Sequence, residues 1–177
     1  MKNNKFGYLR FMLMTLVILT ATLSCERDLS EDAVFATNSN TGEIFTDTPV
    51  GLGSDFYFPF LGSKPTAWSV DNSEGYESSV SMRIDVPNEN DPEGNYAGAI
   101  FRVEGQGRDL TGYNALTFWG KASRGVNIGE LGFGLDFIED KYQVSVSETS
   151  FGTTWKKYII PIPDASKLIE ERGLFWY

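Results

Sequence analysis

From Glu43 onward, apolar and polar positions alternate in short runs, and almost no helical period is present. Ser79 to Val86 is the cleanest case: Val80, Met82, Ile84 and Val86 fall on one face, and Ser79, Ser81, Arg83 and Asp85 on the other. Residues 141–147 repeat the pattern, with Tyr142, Val144 and Val146 opposite Lys141, Gln143, Ser145 and Ser147. A period of two describes antiparallel strands with one buried and one wet face. Clusters of Gly, Pro, Asn and Asp separate the runs, as in an all-β sandwich or barrel. The pattern predicts strands over residues 43–47, 66–71, 79–86, 96–103, 115–122, 131–138, 141–147, 155–162 and 174–177. Asp140-Lys141, after Glu139, reads as a tight hairpin turn. One short helix is expected as a connector, capped by Asp164, running from Ala165 to Glu171 and stopped by Gly173. The final apolar run Leu174-Phe175-Trp176-Tyr177 has no polar tail and reads as a bare edge. The expectation is a two-sheet antiparallel sandwich lacking its closing strand.

The first 25 residues have a different pattern. Lys2, Lys5 and Arg10 precede the apolar run Phe11 to Leu19, which continues through Thr20 to Leu23. A basic region, a short apolar region and small residues before a cleavage point make an export signal. The run is shorter than the ~20 apolar residues that span a bilayer. Thr22-Leu23-Ser24-Cys25 resembles a lipobox, with Thr22 where an aliphatic residue is usual. This reading divides the chain into a lipoprotein signal peptide (1–24), a flexible acidic tether (25–42) and a β domain (43–177). Cys25 would then be lipidated and hold the protein at an outer membrane or cell surface without a spanning helix. An ordinary secreted protein with an incidental Cys is the plainer alternative.

Composition narrows the chemistry. The 177 residues hold 15 Lys+Arg, 24 Asp+Glu, no His and one Cys. The lack of His excludes His-based triads and His-ligated zinc. A single Cys excludes internal disulfides and CxxC chemistry. A net charge of −9 disfavours nucleic acid, which needs a basic patch against its phosphates. Cleavage after residue 24 would remove three basic and no acidic residues and deepen the charge to −12.

On the faces opposite the apolar rows, the pattern predicts Tyr96, Gly98, Ile100 and Arg102; Gly132, Gly134 and Asp136; Thr117, Trp119 and Lys121; and Trp155, Lys157 and Ile159. Aromatic rings pack on the C–H faces of sugars, Asp, Gln and Arg hydrogen-bond hydroxyls, and glycine permits close approach. Trp119, Tyr96, Arg102, Asp136, Gln143 and Trp155 are therefore the candidate glycan-binding residues. Trp and Tyr in β proteins also serve as core and rim residues, and glycines also mark bulges. Asp136 with Asp85 or Glu104 is a nominal carboxylate pair for glycoside hydrolysis, though no spacing singles it out. Gly132-Phe133-Gly134 falls within a strand pattern, which is the wrong setting for a phosphate loop.

The stretch from Gly105 to Ala122 (GQGRDLTGYNALTFWGKA) resembles the D-L-S-x-Y-x-x-L-x-F-W-x-K-A segment of jelly-roll carbohydrate-binding modules. These are modules of the galactose-binding-like class, such as families 4 and 11. Trp155 to Ile162 (WKKYIIPI) resembles the W-x-x-Y-x-I-P-L strand of that class. Ser69-Val70-Asp71 to Ile84, with Gly75 ahead of an alternating strand, resembles its early G-x-x-S-L-x-V region. Together with the lipobox, the chain is similar to surface glycan-binding lipoproteins of polysaccharide-utilisation systems. The resemblance implies a non-catalytic glycan binder, with a polysaccharide and neighbouring glycan-uptake proteins as partners. It also implies one structural Ca²⁺, with oxygens from Asp47, Asp71 and Glu77. Turn capping is the alternative role for these acids. A structural or protein-interaction lipoprotein of the same fold, and a small hydrolase or lyase, are the competing readings.

Overall fold

The computed structural model describes residues 40–53, 56–138 and 141–177. The signal peptide, Cys25 and Asp140 lie outside the described residues, as does most of the tether. Nine strands follow in order: β1 (Tyr57–Pro59), β2 (Trp68–Asp71), β3 (Ser81–Ile84), β4 (Ala99–Arg102), β5 (Ala115–Gly120), β6 (Val126–Phe133), β7 (Val144–Phe151), β8 (Lys156–Pro161) and β9 (Gly173–Trp176). One five-stranded sheet has the order β1-β4-β9-β6-β7, and two ladders, β2-β3 and β5-β8, complete the fold. All strand pairs are antiparallel. The domain is thus an all-β antiparallel sandwich. No helix among the described residues is long and apolar enough to cross a membrane.

The layers meet through aromatic rings. Phe101 on β4 is fully buried. It lies 5.8 Å from Trp68 of β2, 5.6 Å from Tyr57 of β1 and 6.2 Å from Phe175 of β9. Phe118 of β5 reaches the same sheet through Phe175, ring centres 5.4 Å apart. Leu110, Phe133, Ile162, Leu168 and Leu174 close the core around these rings. Tyr57 and Phe175 share the sheet of Phe101, while Trp68 and Phe118 reach it from the β2-β3 and β5-β8 ladders. A side chain buried as fully as Phe101 contributes about 1.5–3 kcal/mol.

Several expectations change in three dimensions. Residues 43–47 form a tight loop instead of a strand. Val50 N donates to Ile44 O at 3.0 Å, Phe45 bridges Pro49, and Asp47 takes the left-handed conformation (φ 67°). Asp tolerates that conformation and Pro cannot donate to a ladder, so turn chemistry prevails over the apolar spacing. The chain instead enters the sheet at β1. That strand is short and carries Pro59, as a strand at the sheet edge allows.

The run assigned to residues 131–138 pairs five residues earlier, as β6. It ends because Gly134 turns at φ 93°, where an added Cβ would stand 2.7 Å from Tyr142 O. Beyond that turn the faces invert: Asp136 is buried, while Phe137, expected inside, is exposed. On β4, Ile100 was expected on the wet face and is completely buried. On β3, Met82 packs on the core, whereas Ile84 is exposed, as is Val86 just beyond the strand.

The helix expected over 165–171 is a single 3₁₀ turn, Ala165–Lys167. Asp164 makes no side-chain cap bond. Leu168 is pulled into the core, and Glu171 then exchanges two backbone hydrogen bonds with Arg108 at 2.8 and 2.9 Å. The final apolar run is not an edge: β9 lies between β4 and β6 at the centre of the five-stranded sheet.

Candidate functional site

The six residues expected to share a ligand face separate into distinct places. Trp119 and Trp155 come together. In the β5-β8 ladder, Thr117 is opposite Ile159 and Trp119 opposite Lys157, and all four are exposed. The period of two puts Trp155 and Lys121 on that same outward side. Trp119 retains 40% of its surface.

A third ring completes the cluster. Tyr76, from the loop joining β2 to β3, lies parallel to Trp119 with ring centres 3.7 Å apart and planes 8° apart. It meets Trp155 edge-on at 6.3 Å and 65°. Lys121 Nζ stands 5.6 Å from the centre of the Trp155 ring and donates to the Glu74 carboxylate. Partial desolvation pushes the Tyr76 phenol up, and its hydrogen bond to Glu77 adds to the shift. Three rings, two lysines and two glutamates thus form an outward surface that offers apolar faces beside charged hydrogen-bonding groups. Tyr76 escaped the sequence reading because it falls in a loop outside any alternating run.

Arg102 and Asp136 also meet, but as a buried tie. Asp136 Oδ1 accepts from Arg102 Nη2 at 2.6 Å, and Oδ2 accepts from Arg172 Nε at 2.9 Å. The Asp136 side chain is 1% exposed. Arg102 lies 5.8 Å from the ring centres of both Phe58 and Phe137. Both carboxylate oxygens are therefore engaged in pinning the β6–β7 loop to β4 and to the start of β9. A recess of about 380 Å³ opens beside this tie, and Gln106, Lys141, Glu170 and Arg172 are among its walls. Lys141 donates to the wholly buried Glu171, whose carboxyl is pushed up by burial in spite of that partner. Asp85, the nominal catalytic partner of Asp136, is paired with Arg83 at 2.9 Å.

Tyr96 and Gln143 join neither group. The Tyr96 hydroxyl donates to Leu61 O at 2.8 Å, tying the loop after β1. Gln143 is exposed just ahead of β7. The two glycines expected to admit a ligand serve the fold instead. A side chain at Gly132 would run into the Trp176 indole, and Gly134 makes the turn that ends β6.

The acids considered for calcium are also dispersed in role. Asp71 Oδ1 accepts from Ser73 N and Oγ at 2.8 and 2.5 Å, and these bonds hold its carboxyl below the usual range. Glu77 occupies a left-handed turn position (φ 55°) beside Tyr76, and Asp47 is at an exposed loop tip. Among the described residues, no three Asp, Glu, Cys or His side chains converge on one point. As placed, these residues do not fit a calcium cage. The carbonyls that do converge hold an arginine. Buried Arg108 donates to Thr41 O at 3.1 Å, Glu43 O at 2.6 Å and also to Val50 O. Tyr113 adds a bond to Asn40 O at 3.1 Å and accepts from Gly42 N at 3.0 Å, so residues 40–50 are fastened to the body. An arginine with carbonyl partners has no sequence signature, and these contacts were not anticipated.

No family model, no curated protein and no solved structure matches this chain.

Proposed function

We propose that the chain is a non-catalytic glycan-binding module of the jelly-roll kind, carried on a lipoprotein anchored through Cys25 at the outer membrane or cell surface. The observation that carries the reading is the outward cluster of Trp119, Tyr76 and Trp155. Trp119 keeps 40% of its surface exposed while Tyr76 and Trp155 are half-buried around it, and sugar C–H faces suit such a ring edge. Lys121, Lys157 and Glu74 supply hydrogen-bonding partners beside them. Affinity electrophoresis through gels containing plant, algal or host polysaccharides tests the idea. The expected result is retardation by at least one polysaccharide that is lost in Trp119→Ala; free migration through all of them overturns it. For the anchor, Cys25→Ser should release the protein from the membrane fraction, and continued membrane association would count against lipidation.

A second reading has its own observation. Phe58, Phe137 and Ile138 are 49%, 55% and 50% exposed, and the Phe58 and Phe137 ring centres are 5.9 Å apart. An apolar patch of this kind suits a protein partner. Cross-linking to a neighbouring surface protein that Phe137→Ser abolishes, with glycan retention absent, would favour this interaction role.

A further inference from the structure

We infer that the Trp119 face selects acidic glycans, polysaccharides bearing carboxylate or sulfate groups. This rests on the glycan reading above and adds the class of ligand. The two stretches that carry Trp119 and Trp155, residues 110–129 and 149–163, contain Lys121 and Lys157 on the outward side and no Asp or Glu. Glu74 and Glu77, the acids of this surface, both come from the β2–β3 loop that brings Tyr76. The chain as a whole carries 24 acidic against 15 basic residues, so the ladder beneath the indoles is locally basic, and its acids arrive only on the separate β2–β3 loop. Folding of a half-exposed ladder does not require this segregation, because exposed strand positions accept either sign of charge at little cost.

The cations are set where a ring-stacked sugar would present its substituents. Lys157 is exposed and is the register partner of Trp119, while Lys121 stands over Trp155. A ring resting on the indoles would bring a carboxylate or sulfate within reach of these ammonium groups. Charge-assisted hydrogen bonds of that kind are about twice as strong as neutral ones.

The β2–β3 loop already supplies such an anion. Glu74 accepts from Lys121, and Tyr76 of the same loop covers part of Trp119. In the free protein Glu74 stands in for the ligand's anionic group, and an incoming acidic sugar displaces it from Lys121.

The test compares the full-length protein in detergent with Glu74→Gln, Lys157→Gln and Trp119→Ala. Binding is measured by calorimetry to polygalacturonate, dextran sulfate, unmodified dextran and a single-stranded oligonucleotide. Polygalacturonate or dextran sulfate is expected to bind at least ~10-fold tighter than dextran, and to weaken as salt rises. Whichever polyanion binds tighter identifies carboxylate or sulfate as the preferred group. Lys157→Gln should lower the acidic-glycan affinity by roughly 3- to 10-fold, and Glu74→Gln should raise it by a similar factor. Equal binding of dextran and both polyanions, insensitive to Lys157→Gln, overturns the charge selection and leaves the platform standing. No binding of any glycan by the wild-type protein removes the platform reading itself. An oligonucleotide that binds as tightly as the glycans overturns both.

Discussion

The Trp119 face and the Asp136 tie are made of similar side chains and use them in opposite ways. Each sets aromatic rings beside basic and acidic groups. At Asp136 the charges face inward, where two arginines saturate both carboxylate oxygens and two phenyl rings flank Arg102. At Trp119 the rings and lysines face outward from a two-stranded ladder. A buried charge keeps its neighbours fixed, since removing one partner leaves the others unpaired away from water. A ring in water beside an ion pair that is itself partly exposed, as Lys121–Glu74 is, can exchange partners for a ligand. Chemical composition therefore does not separate a structural tie from an outward face. The separation comes from burial: the Asp136 carboxylate is 1% exposed, whereas Trp119 and Glu74 keep 40% and 55% of their surface.

The contrast makes graded predictions. Asp136→Ala should cost about 3 kcal/mol of stability, read as a lower denaturant midpoint, because two arginines lose their shared partner. The estimate stands at the low end for buried pairs, since Arg102 and Arg172 remain 26% and 38% exposed. A loss below the surface range of about 0.5 kcal/mol would show that the tie is not structural. Trp119→Ala should do the reverse. It should lower glycan affinity by about 2 kcal/mol, roughly 30-fold, while stability falls by about 1 kcal/mol for the lost Tyr76 stack. A large stability loss with unchanged retention would make Trp119 a packing residue.

Glu171 provides a pH signature for the buried region. Its folded-state carboxyl is raised above the ordinary 4.5 by burial. Between 4.5 and the raised value, the folded protein holds more protons than the unfolded chain. The stability from this group is thus complete below pH 4.5 and declines as pH rises through the folded value. Glu171→Gln should remove that decline, so the variant gains on the wild type as pH rises above 4.5 in denaturant titrations. A difference that stays constant across that range would deny the linkage. The smallest effect is expected at the exposed ladder position: Ile159→Thr should change stability by less than about 0.5 kcal/mol. A larger loss would mean that the outward face of β5-β8 is covered.

The β5-β8 ladder was the most legible part of the fold. Its strands were expected over 115–122 and 155–162 and run from Ala115–Gly120 and Lys156–Pro161. Both have one face against the core and one in water, which is the condition that writes a period of two into a strand. The five-stranded sheet was less legible, because β4 is covered on both faces and Ile100 is as buried as Phe101. Alternation then no longer marks the wet side, and Arg102 was assigned to a ligand face when its guanidinium belongs to Asp136. Beyond Gly134 the strand pattern continued in the sequence after the backbone had turned away, which inverted Asp136 and Phe137.

Local patterning accounts for the all-β class, the ladder under Trp119 and Trp155, and the pairing of aromatic with basic residues along it. Those features depend on neighbours two residues apart, and such neighbours are visible along the chain. The placement of β9 in the middle of its sheet, the meeting of Tyr76 with Trp119 across 43 positions, and the choice of Asp136 as a buried anchor depend on distant segments. They arise when the layers close over the Phe101 rings and each polar group takes whichever partner the closed fold brings within reach.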